Sequence, residues 1–196
     1  MYFCASCHVQ NCGKKFGQEG EYPKQCPTLS AAMPEALAMY GDETDQLLAH
    51  ESSLTAPDHT ESRLEKTIRF AKNCGYRTIG LAFCIQVTEE ARLVDRMLRQ
   101  AGFTVESLMC KVGHVDRCLI GIPGYKGPMC NPIAQAELLN RAHTDFNIIM
   151  GLCVGHDSLF IRHSQAPVTV LAVKDHVFDN NPLRQLQIMR RRENNI

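Results

Sequence analysis

The chain has 196 residues, ten of them cysteine, and a formal net charge of zero. That length can bury one sizeable core with a small appendage, and the neutral balance gives no electrostatic footing for nucleic acid or an acidic membrane. The opening residues have no apolar h-region of a secretory signal, and no apolar run is long enough to span a bilayer, so a cytoplasmic protein is expected.

In a reducing compartment, clustered cysteines are more often metal ligands or catalytic thiols than disulfides. Residues 1–28 carry Cys4, Cys7, Cys12 and Cys26 in a C-x2-C-x4-C-x13-C pattern, the last followed by Pro27. This segment has almost nothing apolar to bury, so a bound metal would supply its folding energy. CxxC lets two thiolates converge on one centre, and Gly13, Gly17 and Gly20 permit the turns between ligands. The terminal Cys-Pro resembles ferredoxin-type cluster loops, and tetrahedral zinc fits the same four thiols. A Cys4–Cys7 redox pair is the weaker reading, because a redox CxxC follows a strand and opens a helix.

Residues 29–74 read as a helical segment packed on the core. A first helix carries Pro34 near its start and ends at Gly41; a second covers 43–53, and a loop is marked by Pro57-Asp58. A third covers 60–74, with Leu64, Ile68 and Ala71 on one face and Gly75 after its end. Residues 75–196 then alternate between strand and helix. Strands are expected over 78–84, 103–110, 146–150 and 168–173. Helices are expected from Thr88 to Ala101, from Pro132 onward, over 156–163 and over 182–192. Such alternation implies right-handed crossovers and a three-layer α/β fold: a parallel sheet of about four strands with helices on both faces.

Three strands end on cysteine, at Cys84, Cys110 and Cys153, so these thiols should share the C-terminal rim of the sheet, where open α/β folds bind ligands. Cys130 precedes the helix that starts at Asn131-Pro132. An antiparallel helix is expected to put it at the opposite rim, unless the glycine-rich 111–129 loop folds it back. With Cys130 included, the rim holds a second four-cysteine set. Lys111, His114, His156, Asp157, Lys174 and Asp175 follow strand ends or open a helix there, and are candidate substrate-binding residues. Cys74 and Cys118 lie outside both quartets.

Several stretches in combination resemble the DUF1847 family of uncharacterised metal-binding proteins. These are the CxxCxxxxC start, YPKQCPT, AFC, CKVG, MCNPIAQAELLN, GLCVGHDSLF, SQAPVTVLAVKD and Asn181-Pro182. The resemblance runs from Cys4 to about Pro182, with His176 where the family's Lys-Asp-Arg motif has arginine. It implies metal binding in the cytosol and no named reaction.

Thiolate-only sets suit iron–sulfur clusters because soft sulfur ligands stabilise both iron oxidation states. The sequence therefore predicts a metalloprotein with [4Fe-4S] clusters at the two quartets, serving redox or small-substrate chemistry at the sheet edge. Its partner would be a small molecule or an electron-transfer protein. The alternative is structural zinc beside an α/β ligand-binding domain without redox activity.

Overall fold

The computed structural model describes residues 2–18, 20–57, 59–124 and 127–193. The chain forms two compact units, Met1–Leu54 and Thr55–Ile196. The predicted loop mark Pro57-Asp58 lies partly outside the described residues, since Asp58 is not among them.

The first unit begins with three short 3-10 turns, Cys4–Ser6, Asn11–Gly13 and Pro27–Leu29. Helix α1 then runs over Met33–Met39 and α2 over Glu43–Thr55. The break between them lies where Gly41 predicts it. There Asp42 Oδ1 accepts from the Thr44 and Asp45 N–H groups at 2.9 and 3.1 Å, capping the new helix.

In the second unit α3 (Arg63–Asn73) starts three residues later than expected, at a capping box in which Ser62 and Glu65 satisfy each other's backbone N–H. The order is then β1 (Thr78–Phe83), α4 (Thr88–Gln100), β2 (Thr104–Met109), α5 (Pro132–Arg141), β3 (Phe146–Met150), α6 (Val154–His163), β4 (Val168–Ala172) and α7 (Leu183–Glu193). The predicted 156–163 helix starts two residues earlier, at Val154, because the Cys153 carbonyl accepts from both His156 and Asp157 N–H, at 2.8 and 2.9 Å.

All four strands are parallel and lie in the order β2-β1-β3-β4. Strand β3 is buried throughout, and β1 at all four interior positions, matching their apolar runs. Side chains alternate across the sheet. Ile79, Leu81, Val105, Phe146 and Ile148 meet α3 and α4 on one face. On the other, Ala82 and Ile149 meet Ala136 and Leu139 of α5 and Phe160 of α6. Arg63 of α3 reaches the edge strand β4, donating to the Val170 carbonyl at 2.8 Å and the Thr169 hydroxyl at 3.0 Å.

The chain moves from β1 outward to β2, then crosses back to β3 on the other side of β1. Strand order therefore reverses between β1 and β3, and the crevice beyond their C-terminal ends is the position where doubly wound sheets take ligands. No helix among the described residues is long and apolar enough to cross a membrane.

Candidate functional site

The register Phe83↔Met109 makes the residues that follow, Cys84 and Cys110, neighbours one step past the ladder. Their N–H groups continue it: Cys84 donates to the Met150 carbonyl at 3.0 Å and Cys110 to the Phe83 carbonyl at 2.8 Å. Alternation puts both sulfurs on the α5/α6 face, where both residues are buried. The close approach of β3 here requires Gly151, which takes φ +62; a Cβ would press on Val87 at 3.2 Å.

Cys130 is at the same rim, not the opposite one. A crossover helix that runs antiparallel to its strands begins where the preceding strand ends, so α5 starts at the C-terminal edge. Asn131 N–H donates to the Cys110 carbonyl at 2.7 Å, and its side chain caps α5 by accepting from Ala134 N–H at 3.1 Å. The Cys130 and Cys110 sulfurs lie 3.8 Å apart.

Lys174, two residues past β4, brings its ammonium 2.8 Å from the Cys84 sulfur and 3.1 Å from Gln86 Oε1. Cys153 lies within electrostatic reach of the same ammonium. Burial pushes the Cys84 thiol up, but the Lys174 hydrogen bond, the Gln86 N–H and the Lys174 charge outweigh it and hold the thiol below its usual value. Cys110 goes the other way. Burial leads, joined by the neighbouring Cys130 and Cys84 thiols against the Ile85 N–H, and its pKa rises to about 12.

His156 and Asp157 stand in the first turn of α6, within electrostatic reach of Lys174. Burial, then the Lys174 and Lys111 charges, lowers the His156 pKa. Burial against the opposing Lys174 charge raises Asp157 to about 6, and its Oδ1 has no hydrogen-bond partner among the described residues. Lys111 donates to the Pro128 carbonyl at 2.6 Å, tying down the 111–129 loop.

His114 is placed by a backbone turn, and Asp175 has other employment. His114 takes φ +49 in the turn after Lys111, and its N–H donates to the Lys111 carbonyl at 3.1 Å. Asp175 Oδ1 accepts from Val177 and Phe178 N–H at 3.0 and 3.1 Å, so its carboxylate caps a turn.

Gln135, which the sequence reading passed over, lies fully buried beneath the rim. Its Nε2 donates to the Leu108 carbonyl at 2.7 Å and the Phe83 carbonyl at 3.4 Å, clamping the ends of β2 and β1. The available signal was a lone amide on the apolar stripe of α5.

The rim brings three of the second set's thiols, Cys84, Cys110 and Cys130, into one buried cluster, with Cys153 at the start of α6. A metal or cluster needs its thiolates turned toward one cation. Here the Lys174 ammonium sits 2.8 Å from the Cys84 sulfur, and Cys110 faces Cys130 at 3.8 Å.

The first four cysteines are arranged differently. Cys4, Cys7, Cys12 and Cys26 all line one cavity of about 550 Å³, with His8 and Lys24 also in its wall. The turns hold them there. Cys7 N–H donates to the Cys4 carbonyl at 3.2 Å and Cys26 N–H to the Pro23 carbonyl at 2.8 Å. Buried Asn11 donates to the Glu21 carbonyl at 2.9 Å, closing the loop between Cys12 and Cys26. The Gln10 and Val9 N–H groups lower the Cys7 pKa. Among the described residues, no three His, Cys, Asp or Glu side chains converge closely enough to hold a single metal ion. The second unit is thus a doubly wound parallel α/β fold with thiols and a lysine at its switch point.

The chain belongs to the family described as "Protein of unknown function (DUF1847)", whose model matches residues 26–171 and so leaves Cys4, Cys7 and Cys12 outside the match. It is similar to the uncharacterized protein MJ0455 of Methanocaldococcus jannaschii, with 46% identity over 125 residues. That alignment covers 62% of this chain and 64% of the relative, so the chain spans under two thirds of the relative's length. No solved structure matches it.

Proposed function

We propose that this is a cytosolic iron–sulfur protein whose first unit holds a [4Fe-4S] cluster through Cys4, Cys7, Cys12 and Cys26, and whose second unit acts on a small substrate at the β1/β3 rim. One observation carries the reading: Cys4, Cys7, Cys12 and Cys26 all line a single cavity of about 550 Å³. Tetrahedral zinc, with Zn–S near 2.3 Å, would draw its four sulfurs to roughly 3.8 Å of one another. A cluster holds its cysteine sulfurs further apart, because iron and sulfide fill the space between them. Four thiolates suit iron, and the backbone donors on Cys7 favour the thiolate form such ligands need. When bound, the cluster would supply one-electron transfer.

At the rim this chain's own residues provide the chemistry. Lys174 and Lys111 present positive charge, Cys84 is held toward the thiolate, and Asp157 is biased toward its neutral acid. These groups suit a small anionic or thiol-reactive substrate.

The test is elemental analysis and absorption spectroscopy of anaerobically purified protein. Iron and inorganic sulfide in near-equal amount, with a brown chromophore lost in Cys12→Ser or Cys26→Ser, are expected. Zinc without iron, or no metal at all after anaerobic reconstitution, overturns the cluster.

A further inference from the structure

The rim thiols divide by partner. Cys84 meets the Lys174 ammonium at 2.8 Å, whereas Cys110 and Cys130 face each other with sulfurs 3.8 Å apart. We propose that Cys110 and Cys130 form a reversible disulfide that exchanges with a small-molecule disulfide, with the Lys174-paired Cys84 accepting the Cys110 proton. This deepens the small-substrate reading of the rim and does not depend on the cluster in the first unit.

Three observations carry it. The backbones of the two cysteines already lie side by side, because Asn131 N–H donates to the Cys110 carbonyl at 2.7 Å. Chains at hydrogen-bonding separation lie roughly 5 Å apart, inside the Cα span of disulfides at about 4.4–6.8 Å. The sulfurs need to approach by less than about 2 Å to reach bonding distance near 2.05 Å. The two thiols also differ in access as a redox pair requires. Cys110 is 1% exposed at a fixed strand end, whereas Cys130 is only half-buried and ends the long 111–129 loop. Finally, Cys84 stands beside Cys110 one step past the Phe83↔Met109 register and meets the Lys174 ammonium at 2.8 Å, so a proton leaving Cys110 has an acceptor next to it.

The exchange balances as follows. Cys130, as thiolate, attacks one sulfur of a disulfide RSSR; the S–S bond breaks, Cys130–S–S–R forms, and RS⁻ leaves and takes up the proton Cys130 released. Cys110 passes its proton to the Cys84 thiolate and attacks the Cys130 sulfur. The Cys110–Cys130 bond forms, and a second RS⁻ leaves, taking its proton from Cys84. Two protein thiols are oxidised and RSSR is reduced to two RSH.

The full chain is equilibrated in anaerobic glutathione buffers of graded disulfide-to-thiol ratio, alkylated in acid and mapped by peptide mass spectrometry. Iron is measured on the same samples. A bridged Cys110–Cys130 peptide that rises with the oxidised fraction and disappears on return to thiol is expected, whatever the iron content. Cys130→Ser, at the more accessible position, removes that peptide and leaves glutathione off Cys110. Lys174→Met slows bridge formation about tenfold at neutral pH, with the circular dichroism spectrum unchanged. Alkylation of both Cys110 and Cys130 as thiols at every ratio overturns the proposal, and so does pairing of Cys110 with Cys84. Retained iron without the bridge removes this inference and leaves the cluster reading standing.

Discussion

The Lys174 ammonium stands 2.8 Å from the Cys84 sulfur, joining residues 90 positions apart at the point where strand order reverses. Each partner favours the other's charged form. Lys174 rises above its usual value because the hydrogen bond to Cys84 and the nearby thiols outweigh burial, and Cys84 falls below its usual 9.0. A thiol depressed in the folded state contributes stability that is fully present above its unfolded pKa and is lost as pH falls through the folded one. Cys84 should therefore contribute stability that grows as the pH rises from neutral toward 9, while the raised Cys110 thiol takes stability away as the pH passes 9. Lys174→Met should flatten the Cys84 gain, because it leaves burial of Cys84 opposed only by the Gln86 N–H and the neighbouring Cys110 thiol. Urea midpoints of both proteins across that range check it; parallel curves would mean the pair does not titrate this way.

Asp157 gives the opposite slope at lower pH. Its carboxyl is raised from 3.8 to about 6, chiefly by burial, so the folded state holds a proton that the unfolded chain releases first. Stability then falls as pH rises from about 4 to about 6. Two pKa units correspond to nearly 3 kcal/mol, but the side chain is partly solvated, and screening leaves roughly 1 kcal/mol. Asp157→Asn keeps the shape, removes the titration and should be the more stable protein at pH 7 by about that amount. Thermal melts at pH 4 and pH 7 should show the two proteins converging at the acid end.

The arrangement of the sheet was legible because its signals are local. Gly75 and Gly102 close the helices that precede β1 and β2, Gly151 closes the apolar run of β3, and period-2 alternation from Phe83 and Met109 puts Cys84 and Cys110 on one face. The helix break at Gly41 was equally plain. Strand order was not legible, since it depends on which side of β1 the third strand lands. The Lys174–Cys84 and Cys110–Cys130 contacts follow from that order and from the path of a long loop, so neither has a signature in residue spacing. The place of Cys130 was recoverable from topology alone, because a crossover helix starts at the edge its strand has just reached. Gln135 was hidden for another reason. A fully buried amide looks like an error in an apolar stripe until the carbonyls it clamps are known.

At the other end of β1, Gly80 lies against a polar core. A Cβ there would collide with the Asn147 amide oxygen and come within 2.8 Å of Leu139 Cδ1. Asn147 cannot move aside. Its Oδ1 accepts from the Thr144 hydroxyl at 2.8 Å, its Nδ2 donates to Ser164 Oγ at 2.8 Å, and Ser164 donates to the Ala166 carbonyl at 2.8 Å. Gly80→Ala should cost at least the 1–3 kcal/mol or so typical of overpacking, because the displaced amide also loses hydrogen bonds in a dry site. Chemical denaturation checks the loss. A cost under about 0.5 kcal/mol would show that the network yields.

In the first unit the informative residue carries no sulfur. Asn11 is 5% exposed, its Nδ2 holds the Glu21 carbonyl at 2.9 Å, and Gly20 fits against it with an ideal Cβ only 3.0 Å from that nitrogen. This contact fixes the loop that returns Cys26 to the cavity lined by Cys4, Cys7 and Cys12. Asn11→Ala keeps all four thiols but frees the loop, and one lost hydrogen bond of about 1 kcal/mol corresponds to roughly fivefold weaker retention of a bound group. Iron should leave the variant about that much faster under a chelator. Exposed Cys118, outside the cavity, serves as the control: Cys118→Ser should hold iron as the native chain does. Equal loss from native, Asn11→Ala and Cys118→Ser proteins would mean that the cavity is not where the iron is held.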